Sequence, residues 1–280
     1  MLASETALHR IRDIEIIDVR PADLIRDPGV VRDVLGRAMQ YSATIETEVP
    51  ISGDVAERIL PNMDEQLEEF FDYWYLQEAA HGEGQNRVLD HIELEPIESP
   101  ETKSHGFHRA LGKVAASSET AHMVLESLIM GHMALGEKET VVAYTAYARI
   151  LAEAGEIDLA RLFGAYARHE RDHLGFQSAR GHETYLRLGA MAGGKFLSRI
   201  PGRALIHSYS PVGLNPRDEE RPQHFVHLLD VLADDGGEKL ADQLGELAHE
   251  MFPNIPPDHP FAHKMYLDLR SRANAAQAAA

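Results

Sequence analysis

Apolar residues recur along most of this chain with a period near 3.6, and the stripes they form predict a series of long helices. The first begins after Asp27-Pro28-Gly29, a cap followed by a proline start, and carries Val31, Val34, Leu35, Ala38, Met39, Ile45 and Val49. Glu46 shares a face with Leu35, Met39 and Ala43, whereas Glu48 falls with Arg37, Tyr41 and Thr44, so Glu46 is the inward acid. Pro50 cannot donate the hydrogen bond that the Glu46 carbonyl would accept, which predicts a kink or an end there. A second helix runs from Pro61 to about Glu93, with Leu67, Phe70, Phe71, Trp74, Glu78, His81, Val88, Leu89 and Ile92 on its buried side. Leu94 to Lys113 reads as a loop or broken helix.

A third helix spans roughly Ser117 to Ala154, placing Met130, Met133, Glu137, Thr140, Val141, Tyr144, Ala148 and Leu151 on one face. Gly155-Glu156 makes a tight turn. The fourth helix carries Leu159, Leu162, Phe163, Tyr166, Glu170, His173, Leu174 and Gln177. Phe225 to Met251 predicts a further amphipathic helix, Pro253 to Pro260 a connector, and Phe261 to Arg272 a short helix. The alanine-rich tail beyond Asn274 is expected to fray. No strand pattern occurs, so the expected fold is all-α: a lead-in over 1–30, one helical domain over 31–272, and a tail over 273–280.

Within these stripes lies an anomaly. Glu78-x-x-His81 and Glu170-x-x-His173 put ionisable pairs in the middle of apolar faces, where lone charges are costly. Residues i and i+3 stand one above the other on a helix, so each carboxylate and imidazole can reach one metal together. Each pair also follows a helix with an inward acid, Glu46 before the first and Glu137 before the second. Four carboxylates can neutralise two divalent ions held about 4 Å apart. This donor set is that of a ferritin-like di-iron bundle. Carboxylate–imidazole ligation suits iron or manganese, iron being the choice for oxidative chemistry.

Composition narrows the chemistry. The chain has 280 residues, 44 % of them hydrophobic, enough for a large core. It has no cysteine, which excludes disulfides, zinc–thiolate sites and iron–sulfur clusters and leaves histidine and carboxylates as the strong metal ligands. A net charge of -18 opposes nucleic-acid binding. No run approaches a membrane span, and the first 26 residues lack the apolar core of a signal peptide, so a cytoplasmic protein is expected.

Several motifs resemble the soluble acyl-acyl-carrier-protein desaturases, especially the shorter actinobacterial members. Trp74-x-x-Gln77-Glu78-x-x-His81-Gly82 is similar to the family's Trp-x-x-Glu-Glu-x-x-His-Gly helix. Gly136-Glu137-Lys138-Glu139-Thr140 resembles its Gln-Glu-Arg-Ala-Thr segment, and Gly155-Glu156-Ile157-Asp158-Leu159-Ala160 its Gly-Asp-Ile-Lys-Leu-Ala turn. Glu46-Thr47-Glu48-Val49-Pro50 looks like its Glu-Glu-Ala-Leu-Pro stretch. The resemblance covers about residues 30–205. It implies a ferritin-like four-helix core with flanking helices. It also implies two iron ions held by Glu46, Glu78, His81, Glu137, Glu170 and His173, with Glu78 and Glu137 as bridges. Thr140 would lie near the oxygen-binding face; the competing reading is a hydroxyl bonded back to its own helix.

The implied activity is oxygen-dependent desaturation of a carrier-bound acyl chain, with a ferredoxin-type electron donor and a homodimeric assembly. Met39, Phe71, Met130, Met133, Phe163 and Tyr166 would line an acyl tunnel, or else simply fill the core. An acidic carrier needs a local basic patch, for which the acid-free stretch with Arg187, Lys195, Arg199 and Arg203 is the candidate. Three positions depart from the family: Gln77 in place of Glu, His169 where Asp is usual, and Asp172 where a basic residue is usual. The latter two are expected around the ligands, where they would tune the metal. A di-iron hydroxylase or N-oxygenase is therefore the first rival, and a ferritin-like metal-binding protein the second.

Overall fold

The computed structural model describes residues 2–97, 105–210, 221–232 and 237–279. Among these residues there are twelve helices and no strand, so the fold is all-α. The long helices are α3 (Pro28–Ile59), α4 (Glu65–His91), α6 (Glu119–Glu153) and α7 (Ile157–Ala190). Around them lie α1 (Ala3–Arg12), α2 (Pro21–Leu24), α5 (His105–Ser117), α8 (Gly194–Leu197), α9 (Arg199–Ser208), α10 (Arg221–Leu232), α11 (Glu238–Met251) and α12 (Phe261–Ala279).

Side chains set the starts of the long helices. Asp27 accepts from the amides of Gly29 and Val30 at 2.9 and 3.2 Å, and Pro28 occupies the first helical position. Asp64 caps α4 through Leu67 N at 3.0 Å, which moves that helix's start past the expected Pro61. Ser118 does the same for α6 through Ala121 N at 3.1 Å. The turn between α6 and α7 uses Gly155 at φ 87°, a conformation that glycine takes without strain. Glu156 is buried beside it and accepts from the amides of Arg26 and Asp27 at 2.8 and 2.9 Å, tying the α6–α7 turn to the start of α3.

Some sequence expectations change. Of the two outcomes expected at Pro50, an end is not found: α3 continues through it to Ile59. Of the residues expected to form one helix over 225–251, those described belong to α10 and α11, the second starting after Gly237 at φ 93°; residues 233–236 lie outside the described part. Helix α12 runs past Asn274 to Ala279. The loop expected over 94–113 ends in α5; residues 98–104 lie outside the described part. The lead-in contains α1, whose Ala7, Leu8 and Ile11 are buried against α4 and α7.

Two apolar clusters fill the interior. The larger holds Met39, Tyr144, Tyr147, Phe163 and Tyr166; the smaller holds Phe70, Phe71, Trp74, Met130 and Phe176, with the Phe70 and Phe176 rings stacked at 4.1 Å. The residues expected to line a tunnel are thus packed into the clusters, with Met133 against the smaller one. Among the described residues no helix is long and apolar enough to cross a membrane.

Candidate metal centre

Between the two clusters lies a layer of buried charge. Glu46 comes from α3, Glu78 and His81 from α4, Glu137 from α6, and Glu170 and His173 from α7. None of the six is more than 6 % exposed. Their donor atoms form two groups, each within 4.8 Å: Glu46, Glu78, His81 and Glu170; and Glu78, Glu137, Glu170 and His173. The expected six residues therefore converge. The two acids common to both groups are Glu78 and Glu170, not Glu78 and Glu137. Helices α4 and α7 present their Glu-x-x-His pairs to each other, so the imidazole of one helix meets the carboxylate of the other. His81 Nδ1 lies 2.8 Å from Glu170 Oε1, and His173 Nδ1 lies 2.9 Å from Glu78 Oε1. The imidazole centroids are 6.4 Å apart.

Is this layer satisfied by its own hydrogen bonds? Glu78 Oε1, His81 Nδ1 and Glu170 Oε1 are buried and make no well-aligned hydrogen bond; their close neighbours belong to the same set, His81 Nδ1 to Glu170 Oε1 at 2.8 Å and His173 Nδ1 to Glu78 Oε1 at 2.9 Å. Buried polar atoms are nearly always well paired, so this set has donor capacity left for a further partner. Burial pushes the Glu46 carboxyl well above its ordinary pKa, with further repulsion from Glu78. Burial, then Glu170 and Glu137, do the same to Glu78; burial and Glu170 raise Glu137. Glu170 is the exception. Burial would raise it, but His81 and His173 overturn that and hold it well below the usual range. Oxygen and nitrogen donors arranged around a shared volume and mutually repulsive when ionised fit a divalent cation.

A layer of hydrogen bonds fixes the ligating candidates. Glu137 Oε1 accepts from Trp74 Nε1 and Gln177 Nε2, each at 2.8 Å. Glu46 Oε1 accepts from the Tyr144 hydroxyl; Gln85 donates to that hydroxyl at 2.7 Å, and Ser42 donates to Gln85 at 2.6 Å. His81 Nε2 meets His169 Nδ1 at 3.0 Å, and His173 Nε2 meets Gln77 Oε1 at 2.6 Å. The roles of Gln85, Tyr144 and Gln177 were not read from the sequence. The signal was present: each lies seven residues after a candidate ligand, Glu78, Glu137 and Glu170 respectively, two turns along the same face.

Two expected neighbours play other parts. Asp172 turns away from the ligands and pairs with Arg10 of α1 at 2.7 Å, because α1 covers that side of α7. The Thr140 hydroxyl donates to the Gly136 carbonyl at 3.2 Å, one turn back on its own helix. A cleft of about 490 Å³ between α3 and α4 reaches Glu46 and is lined also by Thr47, Ala79, Glu83, Asn86, Arg87 and Asp90. Comparison of the chain with protein-family models, with curated proteins and with solved structures gives no match.

Proposed function

We propose that this protein is an oxygen-dependent di-iron oxidoreductase that introduces a double bond into an acyl chain presented by a carrier protein. The observation that carries this reading is the overlap of two carboxylate–imidazole groups through Glu78 and Glu170. Glu46, His81 and the two shared acids would hold one ion; Glu137, His173 and the same shared acids would hold the other. Manganese is the alternative metal for such donors. When bound, iron supplies the redox chemistry with dioxygen that no side chain can perform. The protein's own contribution is positional. Tyr144 orients Glu46, Trp74 and Gln177 orient Glu137, and the apolar clusters on either side exclude water. Desaturation itself, the ferredoxin-type donor and a homodimeric assembly are proposed on the motif resemblance.

The carrier is proposed to dock on the outer face of α8 and α9. Lys195, Arg199 and Arg203 recur every four residues there, all exposed, and make no ion pair among the described residues. Phe196, 71 % exposed, and Ile200 lie beside them at the same spacing. Three exposed cations at helical spacing are conspicuous in a chain at -18, and an acidic partner complements them. Arg187 is exposed nearby and lies 3.6 Å from Glu119. Charge reversal at Lys195 and Arg199 is expected to raise KM for the carrier-bound substrate and leave kcat unchanged.

A second reading rests on the cleft that reaches Glu46. Its walls bear Glu83, Asn86, Arg87 and Asp90, which suit a polar substrate and hence a hydroxylase or N-oxygenase. Mass spectrometry of the product decides between the two: loss of two hydrogens supports desaturation, and gain of one oxygen overturns it.

A further inference from the structure

Both candidate imidazole ligands are held in the same way. In each, Nδ1 faces the carboxylates. A metal bound at Nδ1 leaves the ring proton on Nε2, and the group accepting that proton tunes the ring as a donor. For His173 the acceptor is Gln77 Oε1 at 2.6 Å. The other end of that amide fixes its orientation, because Gln77 Nε2 donates to the Ile11 carbonyl of α1 at 2.9 Å. His173 therefore faces oxygen. For His81 the neighbour is His169 Nδ1 at 3.0 Å; with a metal on His81 Nδ1 it would accept the Nε2 proton, and a nitrogen that accepts a hydrogen bond carries no proton. In that arrangement His169 would be the neutral ring. A carboxylate in either place would pull on the Nε2 proton and give the ring anionic character, making it a stronger donor to a more oxidised metal. An amide oxygen or a neutral imidazole does so far less.

The geometry points to Gln77 and His169 as positioning residues that keep both rings neutral, modest donors and so hold a bound metal pair preferentially divalent. Charge agrees with this. Four ionised carboxylates are cancelled by two divalent ions, whereas anionic acceptors behind the rings would add charge that favours oxidation of the metals. Gln77 is buried and His169 half-buried, so solvent does not substitute for either contact. The inference rests on the reading of the six residues as a two-metal site.

The test uses the full chain loaded with iron and measures the midpoint potential of its first one-electron oxidation in a mediated redox titration, followed by electron paramagnetic resonance. One electron passes from the metal pair to the mediator, and the Nε2 protons stay in place. His169→Asp and His169→Asn put an oxygen near the present Nδ1 position and differ in charge alone. The Asp variant is expected to favour the oxidised state about tenfold, a potential lower by about 59 mV for one electron. The Asn variant is expected to stay with the wild type. Gln77→Glu should move in the same direction as His169→Asp, and it decides the matter should His169→Asp not retain iron. Equal potentials for the charged variants and their neutral counterparts overturn the assignment. Metal analysis of the same samples separates the two levels: wild-type protein that takes up no iron contradicts the metal-site reading itself, while loaded protein with unmoved potentials contradicts this inference alone.

Discussion

Replacing Gly82 by alanine is expected to damage the proposed metal centre far more than the fold. Gly82 follows His81 on α4, where the backbone of α3 lies close by. A Cβ there would stand 3.0 Å from the Thr47 amide nitrogen and 3.2 Å from both the carbonyl carbon and the Cβ of Glu46. Carbon atoms pack best at about 3.5–4.0 Å, so α3 must retreat by roughly 0.3–0.8 Å. The atoms met are mostly backbone, which cannot turn aside as a side-chain tip can. Overpacking of this kind costs about 1–3 kcal/mol, and the better helix propensity of alanine returns about 1 kcal/mol. Stability of the metal-free protein should therefore fall by no more than about 2 kcal/mol.

Glu46 moves with α3, however, and metal–ligand distances tolerate only about 0.2 Å. Loss of a well-placed ligand contact should weaken metal affinity by about 10–100-fold. Urea unfolding of the metal-free protein and calorimetric titration with a divalent metal measure the two quantities. Gly164→Ala is the control. Its Cβ would have only Arg168 at 4.0 Å, and it should stabilise by about 0.5–1 kcal/mol without touching metal affinity. Gly82→Ala binding metal as tightly as the wild type would refute the placement of Glu46.

Other outcomes follow from the buried charges. Glu46, Glu78 and Glu137 have raised pKa values in the metal-free fold, so their contribution to stability is complete below the ordinary carboxyl value near 4.3 and is lost as pH rises toward the raised ones. Glu170 is lowered and opposes this, one group against three. The increase in Tm on adding metal should accordingly grow between about pH 5 and 8, with protons released on binding; a constant increment, read by calorimetry in buffers of different ionisation heat, contradicts this. Away from the site, Arg180 pairs with Glu126 and Asp64 at 2.6 Å each, and Glu126 is nearly fully buried. Arg180→Met should cost up to about 3–5 kcal/mol in urea unfolding by leaving buried Glu126 with only Thr184 and His122 beside it, and Arg180→Met with Glu126→Gln should recover part of it. Although burial would raise it, His122 and Arg180 lower Glu126 to about 2. Its contribution to stability should thus persist at pH 5 and vanish as pH falls from about 4.3 through 2, which acid unfolding of Glu126→Gln against the wild type would reveal.

Local periodicity was a good guide to what each helix buries and a poor guide to what it buries it against. The 3.6-residue stripes placed all six candidate ligands on inner faces, and the i, i+3 spacing paired each carboxylate with its imidazole. Which acids are shared was not readable, because Glu78 and Glu170 meet only through the packing of α4 against α7. The same limit hid Glu156, whose partners lie some 130 residues earlier, and Gln77, whose amide is fixed by Ile11 of α1. It also hid Glu139. Two residues past Glu137, it accepts from Tyr209 and Tyr266 and pins α12 to α6. Where a turn broke the pattern without changing it, as at Gly237, two amphipathic helices read as one.

Trp74 allows the central claim to be tested in a single titration. It is the chain's one tryptophan, and its indole N–H lies 2.8 Å from Glu137 Oε1. A transition-metal ion held by Glu137 should quench its fluorescence at once. Titration of the metal-free protein with ferrous iron or cobalt is predicted to quench Trp74 saturably, with an end point at two ions per chain that disappears when Glu78 and Glu170 are both replaced by alanine. An absence of saturable quenching, or an end point that survives the double replacement, would contradict the account.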